Sequence, residues 1–249
     1  MMNTSNTIRV LNLLFFGLTI YINFLSVTGQ LGGLDIRALS DKYDNLFTPA
    51  NLTFSIWSLI YLLLTVAMVL QFFNRFGSGI PGEWLFIISC LGNAGWIVIW
   101  QNELIGLSLI VMLTLLVSLT AINLKLTAPN QEWYRLTFGV YLGWICVATI
   151  ANSTAWLVSL GLRQSLGNEV IWPMVLMTAG GLIGYLVMRR LGNPYLAIAI
   201  VWAFYGISLK RWDDYPDIAW FARGAALLVA AGAVHVQWIR MRQIASAAG

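Results

Sequence analysis

The chain has 249 residues, of which 59% are hydrophobic and 10% charged, and its mean hydropathy is +0.77. A soluble domain carries about 25% charged residues, so the composition excludes a soluble fold and predicts an all-α, polytopic transmembrane helical bundle. The net charge of +4 is spread over scattered loop residues, which excludes a nucleic-acid-binding surface.

The first apolar run, Ile8–Val27, is about as long as a full membrane span. A signal-peptide core is shorter, and Ser26-Val27-Thr28-Gly29 is a poor cleavage site. A retained first helix is therefore expected. The loop from Gly29 to Thr48 has room for a short amphipathic helix on the membrane surface. Seven further apolar segments follow: Pro49–Phe73, Glu83–Trp100, Glu103–Leu124, Glu132–Leu160, Val170–Met188, Pro194–Leu209 and Ile218–Trp238. Only Gln101-Asn102 separates the third from the fourth, which predicts a tight hairpin. The seventh is short, bracketed by Gly192-Asn193-Pro194 and Lys210-Arg211. All eight must be helical, because backbone at hydrocarbon depth has no water to bond.

Eight spans put both termini on one side. That side carries Arg9, Arg75, Lys125, Arg135, Arg189, Arg190, Arg240 and Arg242, against Arg37, Lys42, Arg163, Lys210 and Arg211 on the other. The excess predicts cytoplasmic termini, in what reads as a bacterial cytoplasmic membrane. The small-residue pairs Gly139–Gly143 and Gly180–Gly184 suit close helix packing within the bundle, with a homodimer as the alternative. Cys90 and Cys146 both fall in apolar runs and read as small core residues, not as a disulfide or metal pair.

Of the twelve tryptophans, Trp84, Trp100, Trp133, Trp156, Trp172, Trp212, Trp220 and Trp238 lie near span ends, where an interfacial belt accounts for them. Trp57, Trp144 and Trp202 lie deeper, and Trp96 sits one turn inside Trp100. Counting ~1.5 Å per residue puts Trp57 ~12 Å and Tyr61 ~18 Å below the outer face, level with the Ala148 turn and near Asn93. Trp57 and Tyr61 share one helix stripe, as do Asn93, Trp96 and Trp100, and as do Tyr141, Trp144, Ala148 and Asn152. An amide as deep as Asn93 must be bonded. Such stripes serve either helix packing or a pocket.

At these residues the sequence resembles the TspO family, the translocator or tryptophan-rich sensory proteins. Pro49, Trp57 and Tyr61 match the spacing of that family's first helix. Asn93, Trp96 and Trp100 match its second, with Gly92 in place of a leucine. Tyr141, Trp144, Ala148 and Asn152 match its fourth, with Val140 in place of a proline. The resemblance implies a TspO-like four-helix core over 48–160, a leading helix over 1–28 and about three trailing spans over 161–249, as in the longer branch of the family. It further implies an apolar cavity that binds tetrapyrroles such as protoporphyrin or haem, with Trp57, Tyr61, Asn93, Trp96, Tyr141, Trp144 and Asn152 as ligand-binding residues. On that reading the rings stack on a porphyrin face and the Asn amides bond a propionate or pyrrole nitrogen. The partners are then the lipid bilayer and a small hydrophobic ligand. A sensory or regulatory role leads. A transporter, a porphyrin-modifying enzyme and a structural subunit of a membrane complex are the alternatives.

No metal site or catalytic constellation stands out. His235, the single histidine, falls near the inner end of the last span and reads as interfacial. Lys125 and Lys210 sit at span ends, which excludes a retinal protein. No triad, carboxylate pair or phosphate-binding loop is present. Arg223, about four residues into the last span, is close enough to snorkel outward, with Asp213, Asp214 and Asp217 as expected partners.

Overall fold

The computed structural model describes residues 4–73, 79–162 and 170–248. Among the described residues the chain forms nine α-helices and no strand. They are α1 (Thr4–Val27), α2 (Ile36–Lys42), α3 (Ile56–Leu70), α4 (Glu83–Gln101), α5 (Ile105–Leu124), α6 (Glu132–Ser159), α7 (Ile171–Leu191), α8 (Leu196–Lys210) and α9 (Pro216–Ala248). Arg75 and Arg163, two of the charges used to orient the chain, lie outside the described residues.

The eight expected segments are all present with shifted ends. The second begins later than Pro49 suggested, because residues Asn51–Ser55 form a 3-10 turn before α3. The last runs on to Ala248, well past Trp238. The short helix expected after Gly29 is α2, whose N-cap Asp35 accepts the Ala38 N–H at 2.7 Å. The hairpin between α4 and α5 is as tight as expected, with Glu103 at φ 59°.

Among the described residues, seven helices are long and apolar enough to cross a membrane. Helix α8 has 15 residues, and at ~1.5 Å each it reaches only ~22 Å. Side-chain bonds still show that it traverses the bundle. At one end Asn193 donates to Asn123 Oδ1 and to the Arg135 carbonyl, and Tyr195 donates to Glu132. At the other, Lys210 binds Asp41 and Asp44. Eight segments, the seven long helices and α8, therefore run the length of the bundle. The start of α1 and the end of α9, where Arg240 pairs with Glu132, lie together at what we term the proximal end. The α4–α5 hairpin marks the distal end.

Helix α6 is the hub. Val140, Leu142 and Ile145 along it are fully buried, and α3, α5, α7 and α8 pack around it. Gly143 explains how closely α8 approaches: a Cβ there would collide with the Leu196 backbone carbonyl. The Gly139–Gly143 pair thus serves packing inside the bundle. Helix α1 lies along α4 and makes little contact with α3.

The outer surface is apolar on successive helices, as at Leu14, Leu62, Val117, Leu182 and Leu228. Buried polar side chains are instead bonded inside: Asn12 donates to Gln71 at 3.1 Å, and the Thr19 hydroxyl to the Cys90 carbonyl at 3.1 Å. An apolar exterior around a bonded polar interior is what a lipid solvent selects. The protein is a multi-pass membrane protein.

Candidate functional site

The predicted stripes on α3, α4 and α6 face one another. Trp57 is at the centre. Its ring lies 5.6 Å from Tyr61 and 6.5 Å from Trp96, both stacked, and meets Tyr141 at 5.9 Å and Trp144 at 6.2 Å edge-on. Offset-stacked and edge-to-face pairs are the favourable arrangements of aromatic quadrupoles. Phe54, in the 3-10 turn, adds an edge contact to Trp144 at 6.1 Å.

Two polar knots fasten this cluster. In the first, Asn93 accepts the Tyr61 hydroxyl at 3.1 Å and the Asn23 amide at 3.3 Å, and donates to the Tyr141 oxygen at 2.9 Å. In the second, Asn152 accepts the Trp96 indole N–H at 2.9 Å and shares hydrogen bonds with the Ser108 hydroxyl. All seven predicted site residues belong to the cluster or its knots. The two amides, however, are occupied by neighbouring side chains and not turned toward an empty space. The physical reason is the cost of a bare amide in apolar surroundings, which internal partners remove.

A chamber lies against the cluster. Trp57, Trp96, Trp100, Trp144 and Asn152 line it, together with Phe54 and the α6 residues Val147, Ala148, Ala151 and Ala155. Tyr61, Asn93 and Tyr141 do not line it. Its free volume is about 50 Å³, room for a water-sized occupant. Trp100 was assigned to the interfacial belt, but it is 5% exposed, stacked on Trp96 at 5.6 Å and part of the chamber wall. The indole N–H groups of Trp100 and Trp144 are buried with no acceptor among the described residues.

The distal mouth is closed by α2 and the residues after it, with Ile36, Ser40, Tyr43 and Asn45 on the chamber. Lys42 and the Tyr43 hydroxyl both bind Glu103 of the hairpin. Asp41 accepts from Asn51 at 3.0 Å and Lys210 at 2.8 Å, and Asp44 accepts from Lys210 and Arg211, each at 3.0 Å. Hydrogen bonds from Lys42 and Tyr43 hold Glu103 below the ordinary carboxylate range. Partial burial alone would raise Asp41, but the bonds from Lys210 and Asn51 outweigh it and lower its pKa.

A second recess, about 570 Å³, opens between α1 and α3. Asn23, Phe24, Ser58 and Tyr61 contribute to it, and Ile36, Phe54 and Trp57 line both it and the chamber. Those three side chains are the partition between the two spaces.

Asn23, Phe54, Trp100 and Ser108 join the site without having been predicted for it. Asn23 and Ser108 are polar residues inside apolar spans, which was the available signal. Trp202, predicted deep, belongs elsewhere: its N–H donates to the Thr53 carbonyl at 2.9 Å and fixes the start of α3 to α8. His235 stacks on Tyr185, whose hydroxyl lies 3.0 Å from its Nδ1, on the α7–α9 face. No group of three or more His, Cys, Asp or Glu side chains able to hold a metal occurs among the described residues.

Comparison with curated proteins and with solved structures returned no match. A family model described as TSPO-like protein matches residues 9–235, which takes in α1 and most of α9 as well as the aromatic cluster. The chain belongs to the TSPO-like protein family.

Proposed function

We propose that the protein binds a small, flat, apolar ligand with a hydrogen-bond acceptor in the aromatic chamber between α3, α4 and α6, in a sensory or regulatory role. The observation that carries this reading is the pair of buried, unpartnered indole N–H groups on Trp100 and Trp144, both chamber-lining residues. A buried indole ordinarily finds an acceptor. In an otherwise apolar chamber, a ligand carboxylate or carbonyl would supply one. Tetrapyrroles such as protoporphyrin or haem are the first class to test, since they combine a broad ring face with propionates.

The closed chamber is too small for such a ring. Entry needs α2 to lift or Trp57 and Phe54 to turn, which joins the chamber to the α1–α3 recess. That recess is within the range of about 300–1,000 Å³ usual for small-molecule sites and opens sideways, toward lipid. Below the chamber, the Asn93 knot and the packed α6 core form a floor. This favours binding over passage across the membrane. The Lys and Arg distribution supports a cytoplasmic location for both termini.

The test is quenching of tryptophan fluorescence by protoporphyrin, using the purified full chain in detergent. The Trp57→Ala/Trp144→Ala double variant should bind at least tenfold more weakly (~1.4 kcal/mol or more). Trp144→Phe, which keeps a ring and removes the N–H, should lose a smaller part. Equal binding by wild type and the double variant would overturn the assignment.

A further inference from the structure

A recess of about 670 Å³ lies between α3, α8 and α9, away from the aromatic chamber. Its lining is graded. Ser55, at the end of the 3-10 turn before α3, Tyr205 of α8 and Arg223 of α9 are its distal members, and toward the proximal side the walls are wholly apolar, as at Leu59, Ile198 and Ala230. Such a gradient along the membrane normal fits an occupant with a polar head and an apolar tail.

Arg223 is held in place for the head. Its Nε donates to the buried Ser208 hydroxyl at 2.9 Å. Its guanidinium lies over the Trp212 ring, 4.0 Å from the centroid, and 5.1 Å from that of Trp220. The expected ion pairs with Asp213, Asp214 and Asp217 do not form, and no carboxylate pairs with Arg223 among the described residues. The terminal amino groups are therefore uncommitted. Tyr205, which lines the same recess, is 43% exposed, and its hydroxyl has no hydrogen-bond partner among the described residues. Arg223 sits seven residues into α9, ~10 Å along the helix from Pro216. An unpaired cation near the hydrocarbon boundary is costly. A guanidinium with free amino groups matches phosphate in geometry as well as charge.

We propose that this recess is a site for an anionic phospholipid, its phosphate on Arg223 and Tyr205 and one acyl chain between α3, α8 and α9. The complementary charge selects the head and the apolar trough the tail. The site stands whether or not the aromatic chamber binds a ligand.

The test uses the full chain reconstituted in phosphatidylcholine vesicles containing brominated-chain phosphatidylglycerol, or brominated-chain phosphatidylcholine for comparison. Trp202 lines the recess, and Trp212 and Trp220 flank Arg223, so a bound brominated chain quenches them. Wild type should be quenched at a severalfold lower mole fraction of the brominated phosphatidylglycerol. Arg223→Gln should abolish that preference, and Arg223→Lys should retain part of it. Ala230→Leu, which fills the trough and leaves Arg223 alone, should weaken quenching by both lipids and covers the case in which Arg223→Gln does not fold. A brominated fatty acid that competes as well as the phospholipid would assign the head to a free carboxylate and overturn the proposal. So would equal quenching by both phospholipids, a preference unchanged in Arg223→Gln, or efficient crosslinking of Leu227→Cys between two chains, which would make the recess a dimer seam.

Discussion

The Trp96 indole N–H donates to the Asn152 side-chain oxygen at 2.9 Å, joining α4 to α6. Ser108 of α5 bonds the same amide, so one side chain fastens three helices. Asn152→Ala leaves the buried Trp96 N–H without a partner, while the Ser108 hydroxyl keeps its bond to the Ile105 carbonyl, at a cost of about 1–3 kcal/mol. Its unfolding midpoint in detergent should fall accordingly. Adding Trp96→Phe to Asn152→Ala should cost less than the sum of the single changes, since the orphaned N–H is then removed.

The Asn93 knot predicts an asymmetry. Tyr61 and Asn23 share the Asn93 oxygen, whereas Tyr141 alone takes its amide N–H. Tyr61→Phe leaves that oxygen with Asn23. Tyr141→Phe leaves a buried N–H donor unpaired, so it should destabilise more, by about 1 kcal/mol. Parallel denaturation of the two variants checks the order.

The α2 lid should respond to acid. Glu103 and Asp41 have pKa values lowered from their ordinary 4.5 and 3.8. A lowered folded-state pKa means a contribution fully present above the ordinary value and lost as pH falls through the folded one. Backbone hydrogen exchange over residues 36–42, corrected for intrinsic rates, should be flat from pH 8 to about 5 and rise only below the ordinary carboxylate range. Glu103→Gln combined with Asp41→Asn should loosen the same residues at neutral pH. The exposed lid pairs add little to global stability, so the unfolding midpoint should move far less than the exchange rate.

Gly143→Ala should separate α6 from α8, because the added carbon meets the Leu196 carbonyl. Overpacking of this kind costs about 1–3 kcal/mol. The Tyr195–Glu132 and Asn193–Asn123 bonds flank the contact, and should weaken with it. Reduced thermal stability together with faster exchange at Asn193 and Tyr195 would register the change.

Much of this was legible in the sequence. Apolar runs located the eight helices that run the length of the bundle, and the stripes of Trp57, Asn93, Trp96, Trp144 and Asn152 named residues that the structure brings together. What periodicity could not show is what each polar group faces. Asn93 and Asn152 read equally well as ligand contacts or as knots, since both roles need the same residue at the same depth. Trp100 lies at a span end and so passes for a belt residue; only the lid over it reveals that it is enclosed. Rise counting set Trp57 level with Ala148, while its ring contacts on α6 are Tyr141 and Trp144, because counting ignores helix tilt and the reach of an indole. Arg223 illustrates a third limit: aspartates nearby in sequence need not pair with it.

Helix α8 carries a consequence for biogenesis. At ~22 Å it falls short of a hydrocarbon core of ~30 Å, and much of its surface is covered by α6, α9 and the turn before α3. It is a poor autonomous insertion unit. Its crossing is completed by partners made both before it (Glu132, Arg135 and Thr53) and after it in α9. For this segment, entering the bilayer should therefore depend on tertiary contacts, and substitutions in α6 or α9 that leave those helices inserted should still strand α8 on one side of the membrane.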